Sequence, residues 1–182
     1  LHVRSRRQRQ MCIRDRHSHN KNLYIGHGIY RAGTTPNWKN SNELPYQIKS
    51  LRGLKNTRGS AYFSSKTFNS NPNHWNDTLQ NNYYRKPALL PTMPWLVQYE
   101  ITTPLVVKKS ENTYQVELKQ AKPLKYFAIL SSFNTKYEVE AIIPAESKFI
   151  SLKALGIDKQ TNHQYWLVAV GLQNQLSKMV AL

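Results

Sequence analysis

From Trp95 onward the chain is a succession of short β-rich runs, and that succession restricts its architecture more than any other feature. The runs fall at 95–101, 104–108, 113–118, 124–131, 138–143, 147–153 and 164–171. Proline or polar turn residues separate most of them, and each has the length of a strand in a small sheet. The half before Trp95 reads differently. Leu23 to Ala32 alternates loosely and predicts a strand ending at Tyr30-Arg31. Ser41, an early Pro45 and the helical spacing of Leu44, Ile48 and Leu51 predict a helix over about 42–54. Gly53 and Gly59 bracket a turn, and His27, between two glycines, reads as another turn residue. Ala61 to Ser65 reads as a short strand. Asn71-Pro72 then opens a second helix, with Trp75 and Leu79 four apart on one face. Helices first and strands later predict an α+β fold, with two small sheets face to face and the N-terminal helices on one side.

The length of 182 residues and an apolar fraction of 40% suit one globular domain, expected over 20–182. No apolar run approaches the roughly 20 residues of a bilayer-crossing helix, so no membrane span is expected. A single cysteine, Cys12, excludes an internal disulfide framework and any zinc site built from several thiolates. The six histidines show no strong ligand spacing, and no metal is required by any motif.

Leu1 to Arg16, LHVRSRRQRQMCIRDR, carries six arginines against one aspartate and no apolar period. Residues 1–19 are therefore expected to be a disordered basic arm. The string RQRQMCIRDR resembles translated sequencing-adapter read-through, which makes the arm a non-native artefact. It lacks the apolar core of a secretory signal, so the chain reads as soluble and its compartment is left open. The net charge is +16 overall and +11 without the arm, which favours a polyanionic partner such as a nucleotide, nucleic acid or an acidic protein face.

Three short motifs carry chemistry. Ile29-Tyr30-Arg31-Ala32-Gly33 places an arginine at the end of an apolar strand, with a planar fork of donors suited to paired oxyanions. Tyr62-Phe63-Ser64-Ser65-Lys66 places hydroxyls at a strand end, Tyr62 and Ser64 on one face. Tyr137-Glu138-Val139-Glu140-Ala141-Ile142-Ile143-Pro144 sets two glutamates on the same side of a strand, about 7 Å apart. Charges so close raise at least one pKa unless a cation or hydrogen bonds intervene.

In chain order these pieces resemble the mono-ADP-ribosyltransferases of the arginine–serine–glutamate class, the cholera-toxin-like branch. The aromatic-Arg pair is Tyr30-Arg31, the aromatic-x-Ser strand is Tyr62-Phe63-Ser64, and the Glu-x-Glu is Glu138-Val139-Glu140. The resemblance spans roughly residues 23–171 and departs from the family at Ser65 and Lys66, where it has threonine and a second serine. It implies a split β-sandwich and a bacterial toxin or effector, secreted or delivered, with an immunity or antitoxin partner left unknown. The implied reaction cleaves NAD, as substrate, at the nicotinamide–ribose bond and transfers ADP-ribose to a macromolecular acceptor, a protein arginine or a nucleic acid. NAD hydrolysis is the implied side activity. The resemblance makes Glu140 the carboxylate beneath an oxocarbenium-like ribose and Glu138 the general base for the acceptor. Arg31 would hold NAD with Tyr30 and Ala32, and Ser64 would brace Glu140 and the nicotinamide ribose. Ser65 would contribute to NAD binding, and Tyr62 or Phe68 would stack on nicotinamide. Phe133 and Tyr137, in a loop over 131–137, would grip the acceptor. The alternatives are a non-catalytic basic nucleic-acid-binding module, using residues such as Lys49, Arg52, Lys55 and Arg58, and a degenerate transferase fold.

Overall fold

The computed structural model describes residues 19, 21–54, 57–96, 98–119 and 122–182. The basic arm before His19 and Lys55 lie outside the described residues. The chain is α+β and divides into two compact units, Leu1–Arg85 and Lys86–Leu182. Among the described residues no helix is long and apolar enough to cross a membrane.

The first unit is built on two parallel strands, β1 (Leu23–His27) and β2 (Thr57–Tyr62). Parallel neighbours need a crossover, and it is made through helices α1 (Pro36–Lys39) and α2 (Glu43–Arg52). The apolar stripe anticipated for α2 is real: Leu44 and Ile48 are buried with Ile29, Trp75 and Leu79. Trp75 opens the short helix α4 (Trp75–Thr78), which follows α3 (Ser65–Asn69), and its indole N–H donates to the Ser41 carbonyl at 2.8 Å. Two expectations shift. The first strand stops at His27 rather than Arg31, because Ile29–Arg31 winds into a 3-10 turn that buries Ile29 in the helix-side core. The second strand stops at Tyr62 rather than Ser65, because Ser64 is the extended cap of α3 and its carbonyl accepts from the Thr67 N–H at 3.0 Å. His27 is no turn residue. It sits in β1, 1% exposed.

The second unit is antiparallel throughout. One sheet has the order β3 (Leu105–Ser110), β4 (Thr113–Glu117), β7 (Phe149–Ser151). The other has the order β6 (Lys136–Pro144), β5 (Leu124–Phe133), β8 (Gln164–Gly171), β9 (Val180–Ala181). Tyr114, Val116 and Ile150 of the first sheet share one core with Phe127, Ile129 and Leu167 of the second, so the two sheets pack face to face. The opposite face of the larger sheet is covered as well. Ala128, Leu130, Val168 and Val170 cluster there with Leu89, Val139 and Trp166. Cover on both faces explains why β5 and β8 read as continuous apolar runs instead of alternating. Residues 95–101 form no strand among those described. Gln98 instead binds the Met93 and Leu96 carbonyls at 2.8 and 2.9 Å, holding the segment as a turn.

Candidate functional site

The glutamate pair lies on the β5–β6 hairpin. The expected 131–137 loop is in fact a tight connection: β5 runs to Phe133, β6 starts at Lys136, and Asn134 and Thr135 both have positive φ, as a two-residue hairpin turn of this hand requires. Phe133 stacks on His163 with centroids 5.0 Å apart, and Tyr137 is exposed on β6. Opposite Ile129 and Leu130 the register slips, so that Glu140 is the extra residue of a β-bulge.

Glu138 and Glu140 converge on one cation. Lys86 Nζ donates to Glu138 Oε2 at 2.6 Å and to Glu140 Oε1 at 2.7 Å, and the Ser131 hydroxyl donates to that same Glu140 oxygen at 2.5 Å. Glu140 is the enclosed member, with its side chain 19% exposed against 60% for Glu138. Burial pulls the Lys86 ammonium down, but hydrogen bonds to Glu138 and Glu140 and their charges outweigh it and raise its pKa. The lysine thus stands between the two carboxyl groups and bridges them. Lys86 stands 52 residues from Glu138, with no local pattern to join them.

The first unit, by itself, carries a hollow. Tyr30, Ala32 and Ser64 line a hollow of about 770 Å³ with Lys66, Thr67 and Ser70, and its wall contains no carboxylate. The parallel ladder assembles it: the Phe63 N–H donates to the His27 carbonyl at 3.0 Å and the Tyr30 N–H to the Phe63 carbonyl at 3.1 Å. Arg31 is exposed, its guanidinium 5.8 Å from the Tyr30 ring. Ser65 begins α3 and is exposed.

Tyr62 and Phe68 are turned to other work. The Tyr62 ring stacks on His27 at 5.2 Å, meets Phe68 edge-on at 5.8 Å and hydrogen bonds the Tyr84 hydroxyl at 2.7 Å. Burial, then that bond, push the Tyr62 phenol well above the ordinary range. Beneath it His27 Nδ1 faces Gln47 Oε1 at 2.9 Å and Nε2 faces the Ser60 hydroxyl at 3.0 Å. Gln47 Nε2 donates to Glu43 at 2.8 Å, which fixes the amide so that its oxygen accepts from Nδ1–H. Nε2 is then the acceptor for Ser60. Burial lowers the His27 pKa, and its bond to Gln47 only partly opposes this.

The structure therefore brings Tyr30, Ala32 and Ser64 together in the first unit, and Glu138, Glu140, Phe133 and Tyr137 on one hairpin in the second.

No family model matches the chain. A 92-residue stretch, 50% of the chain, is 38% identical to the glycosyl hydrolase YngK of Bacillus subtilis (strain 168), and spans 18% of that protein. Among solved structures, pectate lyase PelI from Erwinia chrysanthemi, crystallised with tetragalacturonic acid, aligns over 44% of this chain and 28% of its own. The identity there is 18% and the TM-score 0.32, too low to establish a common fold. The similarity to a glycosyl hydrolase overturns the expectation of an NAD-consuming ADP-ribosyltransferase, toxin or effector.

Proposed function

We propose that this chain works within a carbohydrate-active protein of glycosyl-hydrolase type and supplies sugar-binding surface rather than the acid–base pair. The 38% identity to a glycosyl hydrolase over 92 residues carries this assignment. The chemistry of the hollow supports it. A sugar offers hydroxyls around its rim and C–H groups on its faces, so its site needs mixed hydrogen-bonding groups and an aromatic ring. Tyr30 provides the ring, Ser64, Thr67 and Ser70 the hydroxyls, and Lys66 a strong donor. Most glycosidases also need two carboxyls, roughly 5–5.5 Å apart for retention or 6.5–9.5 Å for inversion. The wall of the hollow holds none, and Glu138 and Glu140 share Lys86.

Titration calorimetry with neutral oligosaccharides of several linkages tests the assignment. The chain should bind at least one, and Tyr30→Ala should weaken that binding about tenfold. Absence of binding across the panel, or binding indifferent to both Tyr30→Ala and Ser64→Ala, would refute it.

A further inference from the structure

Three glycines of the first unit lie under aromatic rings. A Cβ on Gly59 would come within 2.8 Å of the Tyr24 ring, one on Gly26 within 2.9 Å of Phe63, and one on Gly28 within 3.3 Å of Tyr30. The three rings are also the exposed aromatics of this surface, at 51%, 57% and 59%. Tyr24 pairs in register with Gly59 and Gly26 with Ala61, so strand alternation puts Tyr24, Gly26, Gly59 and Ala61 on the face away from His27 and the helices. The ladder bond from the Phe63 N–H carries β2 one residue further and puts Phe63 on that same face.

We infer that this face is a stacking strip for a linear chain of neutral sugar rings, leading into the hollow at Tyr30 and Ser64; the inference rests on the carbohydrate reading above. Glycine and alanine leave nothing projecting between the rings, so each ring leans on backbone and keeps a face open. Gly26 and Gly28 are two residues apart along the chain, a step of about 6.6 Å in extended backbone, and Gly59 faces Tyr24 from the neighbouring strand. The charge balance selects the occupant. On a chain of net charge +16 the positions that form the strip, Tyr24, Gly26, Gly59, Ala61 and Phe63, carry no formal charge; Arg31 approaches at the Gly28 end and exposed Arg58 adjoins Gly59 at the other. A polyanion would be met by cations along its length. A neutral ring with C–H faces is matched by bare aromatic faces, and Arg31 can donate to a hydroxyl at the end of the run.

Affinity against oligosaccharide length tests the strip, using a linear series of whichever neutral glucan or chitooligosaccharide the chain binds. From disaccharide to hexasaccharide the affinity should rise about tenfold or more. Phe63→Leu and Tyr24→Leu should each cut hexasaccharide binding about fivefold while leaving the disaccharide unchanged. Phe63→Trp should retain binding, and Gly26→Ala, which displaces the Phe63 ring, should behave as Phe63→Leu. Independently of any variant, hexasaccharide but not disaccharide should protect Tyr24 of the unaltered chain from iodination. Equal hexasaccharide binding by the leucine variants, or no protection of Tyr24, overturns the strip while a bound disaccharide leaves the hollow standing. Absence of all sugar binding removes both. Self-association of the unaltered chain that Phe63→Leu abolishes also overturns the strip, as the face of a dimer.

Discussion

Replacing Lys86 with methionine isolates the energetics of the bridged glutamates. The stem keeps its volume while the ammonium disappears. The Glu140 arm is a charge-assisted hydrogen bond to a side chain only 19% exposed, and such bonds contribute about 1.5–3 kcal/mol. The Glu138 arm ends on a side chain 60% exposed and contributes about 0–1 kcal/mol. The two bound oxygens can stand no more than about 5 Å apart, the sum of the two bond lengths to Nζ. Without the cation their repulsion is about 1–3 kcal/mol at effective dielectrics between 80 and 20. These contributions overlap, so the expected loss is about 2–4 kcal/mol from the second unit. Urea unfolding followed by far-UV circular dichroism and tryptophan fluorescence measures it. In double-mutant cycles the Lys86–Glu140 coupling should exceed the Lys86–Glu138 coupling. Adding Glu138→Gln and Glu140→Gln to Lys86→Met should recover most of the loss, because the repulsion goes with the charges. A loss under about 0.5 kcal/mol, or a larger coupling to Glu138, would refute the reasoning. The pH dependence has a definite sign. The folded pKa of Lys86 is raised, so its contribution is complete below the ordinary lysine value of 10.5 and fades as pH rises through the higher folded value.

His27 titrates in the opposite sense. Its folded pKa is lowered from 6.5, so the stability it confers is complete above that pH and is lost as pH falls through the folded value. Thermal unfolding of the first unit between pH 7.5 and 5 should show this decline, and His27→Phe should flatten it. An identical slope in the variant would count against His27 as the source. In the second unit Thr135 holds φ 64, a conformation that costs a β-branched residue about 1–2 kcal/mol. Thr135→Gly should therefore raise the urea midpoint, corresponding to a gain in unfolding free energy of about 0.5–1 kcal/mol once the extra freedom of glycine in the unfolded chain is deducted. A lower midpoint would show the hairpin turn to be unstrained.

Much of the fold was legible because the local signals agree with tertiary cover. Leu44 and Ile48 sit one helical turn apart and are both buried, and the apolar runs at 124–131 and 164–171 became the two central strands of the larger sheet. The site was less legible because its residues are joined by ladder bonds and ion pairs that sequence spacing does not record. The same-side placement of Glu138 and Glu140 was correct, yet its chemical meaning depended on Lys86, far away in the chain. Chain order alone made an arginine, a serine and a glutamate pair resemble one catalytic set. Within the first unit the hydrogen bonds gather Tyr30 and Ser64 around the end of a parallel strand pair, and within the second they gather the glutamates around an ammonium.

The glycines were the most misleading signal, and the reason is physical. Gly59 reads as one bracket of a turn, and His27 between Gly26 and Gly28 as a turn residue, because glycine most often marks a backbone that other residues cannot adopt. None of the three has a positive φ, so no turn requires them. At Gly26 and Gly59 an alanine would collide with an aromatic ring. A glycine in a strand with no conformational need of its own implies something pressed against the backbone. Here the companions are Tyr24 and Phe63, each on the strand opposite the glycine it covers. Both rings are more than half exposed, so a side chain at either glycine would displace an aromatic ring at the surface rather than break a turn.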